Sequence, residues 1–170
     1  MAILELVKAP DPRLKLVSKP VPEVDRALKR FMDDMLDTMK EANGIGLAAI
    51  QIGVPKCVAV IDLDPGGPKS MPLYLVNPRI IAASEEQTTY NEGCLSVPEI
   101  WEDVSRPARL TVEYTDEKNR KQTINAEGLL ATCLQHEIDH INGLLFIDHL
   151  SKLKRSIALR KSAKLKRKND

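Results

Sequence analysis

Gly128-Leu129-Leu130-Ala131-Thr132-Cys133-Leu134-Gln135-His136-Glu137-Ile138-Asp139-His140-Ile141-Asn142 reads as one helix, and the rest of the chain is organised around it. Residues four apart lie on one helix face. His136 and His140 can therefore offer imidazole nitrogens to a single metal, and Glu137 lies beside them. Glu137 is too close to the histidines in sequence to be a comfortable third ligand, yet it is well placed to hold a water at the metal. The competing reading is a solvated helix face that carries the pattern by chance. Leu129, Leu130, Leu134, Ile138 and Ile141 argue against it, because they make the helix apolar over most of its circumference and so buried. Buried His and Glu need partners, and a metal supplies them.

A hydrolytic metal site keeps three protein ligands and one open position. One protease class takes its third ligand six residues after the second histidine, but that position here is Phe146, and His149 comes three residues too late. Another takes a glutamate from a later helix, and the only acids after His140 are Asp148 and Asp170. Cys133, one turn before His136, lies roughly 7–8 Å along the axis from the midpoint of the pair, so it should line the adjacent pocket instead. Cys94, in Glu92-Gly93-Cys94-Leu95-Ser96-Val97-Pro98, reads as a cysteine presented on a loop. It is the favoured third ligand, though not a secured one.

The 170 residues, 43% apolar and 29% charged, suit one soluble domain with a substantial core. No apolar run approaches the roughly 18 residues that span a bilayer. Met1 to Arg13 contains Glu5 and Asp11 and has no signal-like apolar core. A cytoplasmic protein is expected. Cys57, Cys94 and Cys133 match no disulfide framework. The net charge of +1 conceals an asymmetry: Ser151 to Asp170 carries nine Lys/Arg against one acid. Residues 1–150 are therefore read as a catalytic domain and 151–170 as a basic C-terminal helix. Leu150, Leu153, Ile157 and Leu165 form the apolar stripe that would pack its first turns while a cationic end projects.

Upstream, Met1 to Pro22 reads as an extended, proline-rich arm, and Val24 to Asn43 as a helix with a Leu28/Phe31/Met32/Met35/Leu36/Met39 stripe that Gly44 stops. Gly44 to Gly53 is a run of small residues with one polar side chain, Gln51, and it lacks the features of a nucleotide loop. Cys57 to Asp62 and Leu73 to Ala82 read as strands, and Arg109 to Tyr114 with Gln122 to Asn125 as a hairpin.

Gly44-Ile45-Gly46-Leu47-Ala48-Ala49-Ile50-Gln51, Glu92-Gly93-Cys94-Leu95-Ser96 and His136-Glu137-Ile138-Asp139-His140 together resemble, in order, the three motifs of the peptide deformylases. The similarity runs from the N-terminal arm to about Ser151. It implies an α+β fold, mainly antiparallel β-sheet around a central helix bearing the two histidines. It also implies removal of the formyl group from the N-terminal methionine of newly made polypeptides, releasing formate. Cys94, His136 and His140 would hold Fe²⁺, with Zn²⁺, Ni²⁺ or Co²⁺ as substitutes. Glu137 would take a proton from the attacking water and return it to the leaving amine. Gln51 and the Leu95 N–H would donate to the developing oxyanion.

Leu129 and Cys133 are placed to line the methionine pocket, and Ile45 and Gly46 to pair with the peptide as an added strand. Glu92 and Asp139 are candidates to orient ligands or pair with Arg106. Trp101, where several family members have a polar or basic residue, is a candidate substrate contact. The basic tail suggests the ribosome near its exit tunnel as a partner. Neither DNA nor membrane is expected to bind, and a monomer is expected. Two rival readings are a metal-stabilised binding module, which needs a fourth protein ligand, and an internal-bond metallopeptidase, which needs a different third ligand.

Overall fold

In the computed structural model, which describes residues 2–169, helix α2 (Gly128–Ile141) leaves strand β7 (Lys121–Glu127) with no intervening loop. Gly128 makes that abrupt change possible at φ +62°, a backbone region that side chains disfavour. β7 is the edge of a five-stranded antiparallel sheet ordered β1-β2-β3-β6-β7. The other members are β1 (Gly46–Ala48), β2 (Val58–Ile61), β3 (Leu73–Ala83) and β6 (Arg109–Thr115). A separate hairpin pairs β4 (Gln87–Cys94) with β5 (Val97–Pro107).

Alternation along β2 shows how the layers form. Successive strand side chains point to opposite faces, and all four β2 residues are buried. Ala59 and Ile61 join Leu134, Ile138 and Ile141 of α2, while Val58 and Val60 join Met32, Met35 and Met39 of helix α1 (Arg26–Glu41). The sheet is thus covered by one helix on each face, and α2 is central. The fold is α+β, with antiparallel sheets around that helix and a C-terminal helix α3 (Lys152–Asn169). No helix among the described residues is long and apolar enough to cross a membrane.

Three local expectations are corrected. α1 is stopped by Asn43, at φ 60°, one residue before the expected Gly44. Cys94 is the last residue of β4, not part of a loop. The face on which α3 packs also differs: Leu153 and Ile157 are 67% and 52% exposed, whereas Ala158 and Ser162 are buried. Small side chains bring this helix close to the body. Lys154 pairs with Glu102 at 3.8 Å, Lys161 Nζ donates to the Glu99 carbonyl at 3.1 Å, and Lys166 pairs with Asp11 at 3.9 Å. α3 therefore lies along β5 and the N-terminal arm through its last turns.

The β6–β7 turn is held by Asp116. Its Oδ1 accepts from the N–H groups of Lys118 and Arg120, and its Oδ2 from the Gln122 amide and Arg120 Nε. Burial alone would raise this carboxyl, but the Arg120 N–H, the Gln122 amide and the Lys118 N–H outweigh it and bring the pKa down to about 2. A depressed carboxylate stabilises the fold above its unfolded pKa, and that contribution disappears as pH falls through the folded one. Asp116→Asn should lower stability by about 1–2 kcal/mol at pH 7. The gap to the parent should close as pH falls from about 4 toward 2, a trend that urea unfolding across pH would measure.

Candidate metal centre and cleft

The arrangement of His136 and His140 follows from helical spacing: their rings meet edge-on, with Nε2 atoms 3.2 Å apart. Cys94 arrives from the other side at the end of β4, its Sγ 3.4 Å from His140 Nε2. One donor atom from each of the three residues lies within 4.8 Å of the others. Two imidazole nitrogens and a sulfur converging on one point are the donor set of a borderline-soft divalent cation. Among the described residues this group has three members, which leaves a coordination position open.

Of the three, His136 is held from behind, whereas His140 Nδ1 is buried without a partner among the described residues. His136 Nδ1 bonds Glu92 Oε1 at 3.0 Å, which directs Nε2 at the common point, and Phe146 stacks on its ring at 6.0 Å. Arg106 grips Glu92 with both arms of its fork, at 2.7 and 3.0 Å, and reaches Asp139 with Nη1 at 2.8 Å. His149 Nε2 in turn bonds Asp139 Oδ2 at 2.8 Å. A continuous polar chain therefore runs from His149 near the surface to the half-buried His136 at the candidate metal site. Burial opposes ionisation of Glu92 and of Asp139. The His136 and Arg106 bonds to the first, and the His149 and Arg106 bonds to the second, prevail and hold both below the usual carboxylate range. Glu92 and Asp139 thus both pair with Arg106, and Glu92 also orients a ligand.

The two histidines sit in opposite fields. Burial and the neighbouring His136 push His140 well below its ordinary value, which keeps it neutral with a lone pair to offer. Burial would lower His136 as well, but Cys94, Glu92 and Glu137 raise it well above. That point in the protein attracts positive charge. Glu137 is 3% exposed, and its Oε1 has no partner among the described residues. Burial is the main cause that brings its pKa up to about 7; His136 and Arg106 work against the rise, and Glu92 and Asp139 add to it.

A cleft of about 550 Å³ opens over this centre. Every expected site residue except His140 lines it: Ile45, Gly46, Gln51, Glu92, Cys94, Leu95, Trp101, Leu129, Cys133, His136 and Glu137. His140 lies beneath, fully buried. Gly46 lies directly against Glu137, and a Cβ there would displace the Glu137 carboxylate. Gln51 is fixed at both ends of its amide: Oε1 accepts from Ala48 N at 2.9 Å, and Nε2 donates to Ser96 Oγ at 3.0 Å and lies 3.6 Å from Cys94 Sγ. The Leu95 N–H, in the turn between β4 and β5, has no partner among the described residues. Leu129, expected to be buried with the rest of its helix, is 41% exposed at the cleft. Cys133 is buried with its thiol pushed up to about 12, chiefly by burial and then by Glu137, so it is an inert wall. Trp101 is 66% exposed, with its ring over Gly93.

Tyr90, Asn91, Glu99 and Thr132 also line the cleft and were not legible as site residues. The first three lie on the β4–β5 hairpin, whose polar alternation hides it among loop residues. Thr132 is one helix turn from His136 and could have been found by that spacing.

Three donor side chains able to hold a metal, beside a buried carboxylate in a peptide-sized cleft, are the makeup of a metal-dependent hydrolase on an α+β scaffold. The sequence model for polypeptide deformylase matches residues 3–156, and this chain belongs to that family. It is 54% identical over 164 residues to peptide deformylase of Rhizobium meliloti, covering 96% of this chain and 94% of the relative. The crystal structure of peptide deformylase from Ehrlichia chaffeensis superposes with a TM-score of 0.93 at 40% identity, covering 99% of both chains. The same enzyme in complex with actinonin superposes at 0.92, with 42% identity and coverage of 98% and 99%.

Proposed function

We propose that this protein removes the formyl group from the N-terminal methionine of newly made polypeptides, releasing formate, with Fe²⁺ held by Cys94, His136 and His140. The observation that carries the reading is the unpartnered Glu137 Oε1 beside three converging donor atoms at the closed end of a cleft. Zn²⁺, Ni²⁺ and Co²⁺ suit the same thiolate and imidazole donors. When bound, the ion would supply Lewis-acid polarisation of water and of the formyl oxygen.

The residues divide the remaining work. Glu137 Oε1 accepts a proton from the attacking water as the new C–O bond forms at the formyl carbon. As the C–N bond breaks, the same carboxyl delivers that proton to the leaving amine. A pKa raised by burial suits a group that must both take and give a proton near neutrality. Gln51 Nε2 and the Leu95 N–H donate to the carbonyl oxygen as charge gathers there. Gly46, at the start of edge strand β1, and Ile45 just before it pair with the peptide backbone, Leu129 and Cys133 enclose the methionine side chain, and Glu92 and Trp101 border it.

Residues 1–150 supply the catalytic part in this reading. Residues 151–170 present a cationic surface with Leu153 and Ile157 outward for ribosomal RNA or protein near the tunnel exit, a contact that salt would weaken. The setting is cytoplasmic and the protein acts as a monomer.

In this reading the closed end of the cleft, where Gly46 packs against the Glu137 carboxylate, takes only a hydrogen on the acyl carbon. Formyl-Met and acetyl-Met tripeptides should therefore differ in kcat/KM by at least about 10- to 200-fold, the discrimination that one extra carbon meets in a closed pocket. Equal turnover of the two would contradict the reading.

A further inference from the structure

The cleft continues past the residues assigned to the reaction. Its edge runs from Gly46, against Glu137, through Ile45 and Gly44 to Asn43 and Ala42 at the end of α1. On the deformylase reading, on which this inference rests, a peptide whose first residue lies at Gly46 is taken to add to edge strand β1 as an antiparallel strand, like the other strands of its sheet. Its third residue then faces Gly44, and at about 3.4 Å per residue the next two carry it along the Asn43–Ala42 turn that caps α1. Ala42 and Pro98 also line a second cleft, of about 440 Å³, between the N-terminal arm, the end of α1 and α3.

That second cleft has the surface that an extended chain needs. Along the arm, the N–H groups of Leu4, Val7 and Ala9 are used inward, by Thr38 Oγ1, the Gln51 carbonyl and the Ser96 carbonyl. Those of Glu5 and Lys8 have no partner among the described residues, and both residues are exposed. Ser162, 2% exposed and with a hydroxyl lacking a partner, forms part of the opposite wall beside Leu165. The charges around the cleft balance: Glu5, Asp11 and Glu41 against Lys8, Arg13 and Lys166. A site with free main-chain donors and no net charge selects backbone rather than side chains.

We propose that this second cleft holds the substrate polypeptide from about its fifth residue onward, as an extended segment bonded to the main chain of the N-terminal arm and packed against Leu165 of α3. The test compares a formyl-Met tripeptide with a formyl-Met nonapeptide whose added residues are Ala, Ser and Gly, using Fe²⁺-loaded protein without oxygen. The nonapeptide should have a KM lower by about tenfold, the yield of one or two net hydrogen bonds. Leu165→Trp, which fills the cleft, should abolish that advantage while tripeptide kinetics stay unchanged, which also shows that the variant folds.

A benzophenone at the seventh residue of the nonapeptide, irradiated on metal-loaded Glu137→Gln protein, should cross-link to residues 3–9 or to α3. Equal KM for the two lengths, an advantage that survives Leu165→Trp, or cross-links elsewhere would each overturn the proposal. Failure of the parent to turn over the tripeptide would overturn the deformylase reading itself, and this inference with it.

Discussion

Replacing Cys94 by Ala should reduce bound metal from one ion per chain to a small fraction and lower kcat/KM on a formyl-Met tripeptide on the order of 10³-fold or more, the several kcal/mol that a Lewis acid contributes. Cys94 supplies the only sulfur of the donor set and comes from a different element than the two histidines, so its loss opens the site on one side. Cys94 is only half-buried, and its removal should cost the fold little. Metal analysis beside a thermal melt separates the two effects. Near-parent metal content in Cys94→Ala would show that the third ligand lies elsewhere.

Arg106→Ala should destabilise the protein by about 3–5 kcal/mol, because it strands two carboxylates that burial already disfavours. Arg106 is 4% exposed and makes three charge-assisted bonds, two to Glu92 and one to Asp139. For a domain of this length the loss corresponds to a fall in Tm of roughly 10 °C. Arg106→Lys should fall between variant and parent, because an ammonium cannot span both oxygens of Glu92 and reach Asp139 at once. The effect should also reach the metal: without its anchor Glu92 no longer fixes His136 Nδ1, and metal affinity should drop by about 10- to 100-fold. A parent-like melt for Arg106→Ala would refute this account of the network.

How much could be read in advance depended on how local each feature was. The histidine pair and its helix were legible because helical spacing alone brings those side chains together. The layers around α2 were legible in part: β2, β3 and the β6–β7 hairpin carry apolar alternation or turn residues. The β4–β5 hairpin was not, since Gln87–Cys94 exposes one face to solvent and reads as polar loop. Cys94 could therefore be favoured as ligand but not placed.

The supports of the site were hidden for the same reason. His149 comes too late in sequence to be a ligand, yet the turn at Phe146–His149 brings it back onto Asp139, and Phe146, which occupies the position where one protease class has its third ligand, stacks on His136. In α3, apolar character pointed to Leu153 and Ile157, but close approach of the helix favoured Ala158 and Ser162 instead. Burial of small residues follows from how near two elements come, which only the assembled fold decides.

In this reading Glu137 moves the proton in a metal-dependent deformylation. The most direct measurement is formate release from a formyl-Met tripeptide, with Fe²⁺-loaded parent and Glu137→Gln matched for metal content and kept free of oxygen. The account predicts turnover by the parent and a kcat about 10²- to 10⁴-fold lower in the variant, the contribution of a positioned general base. Parent-like formate release by Glu137→Gln, or none from the metal-loaded parent, would contradict it.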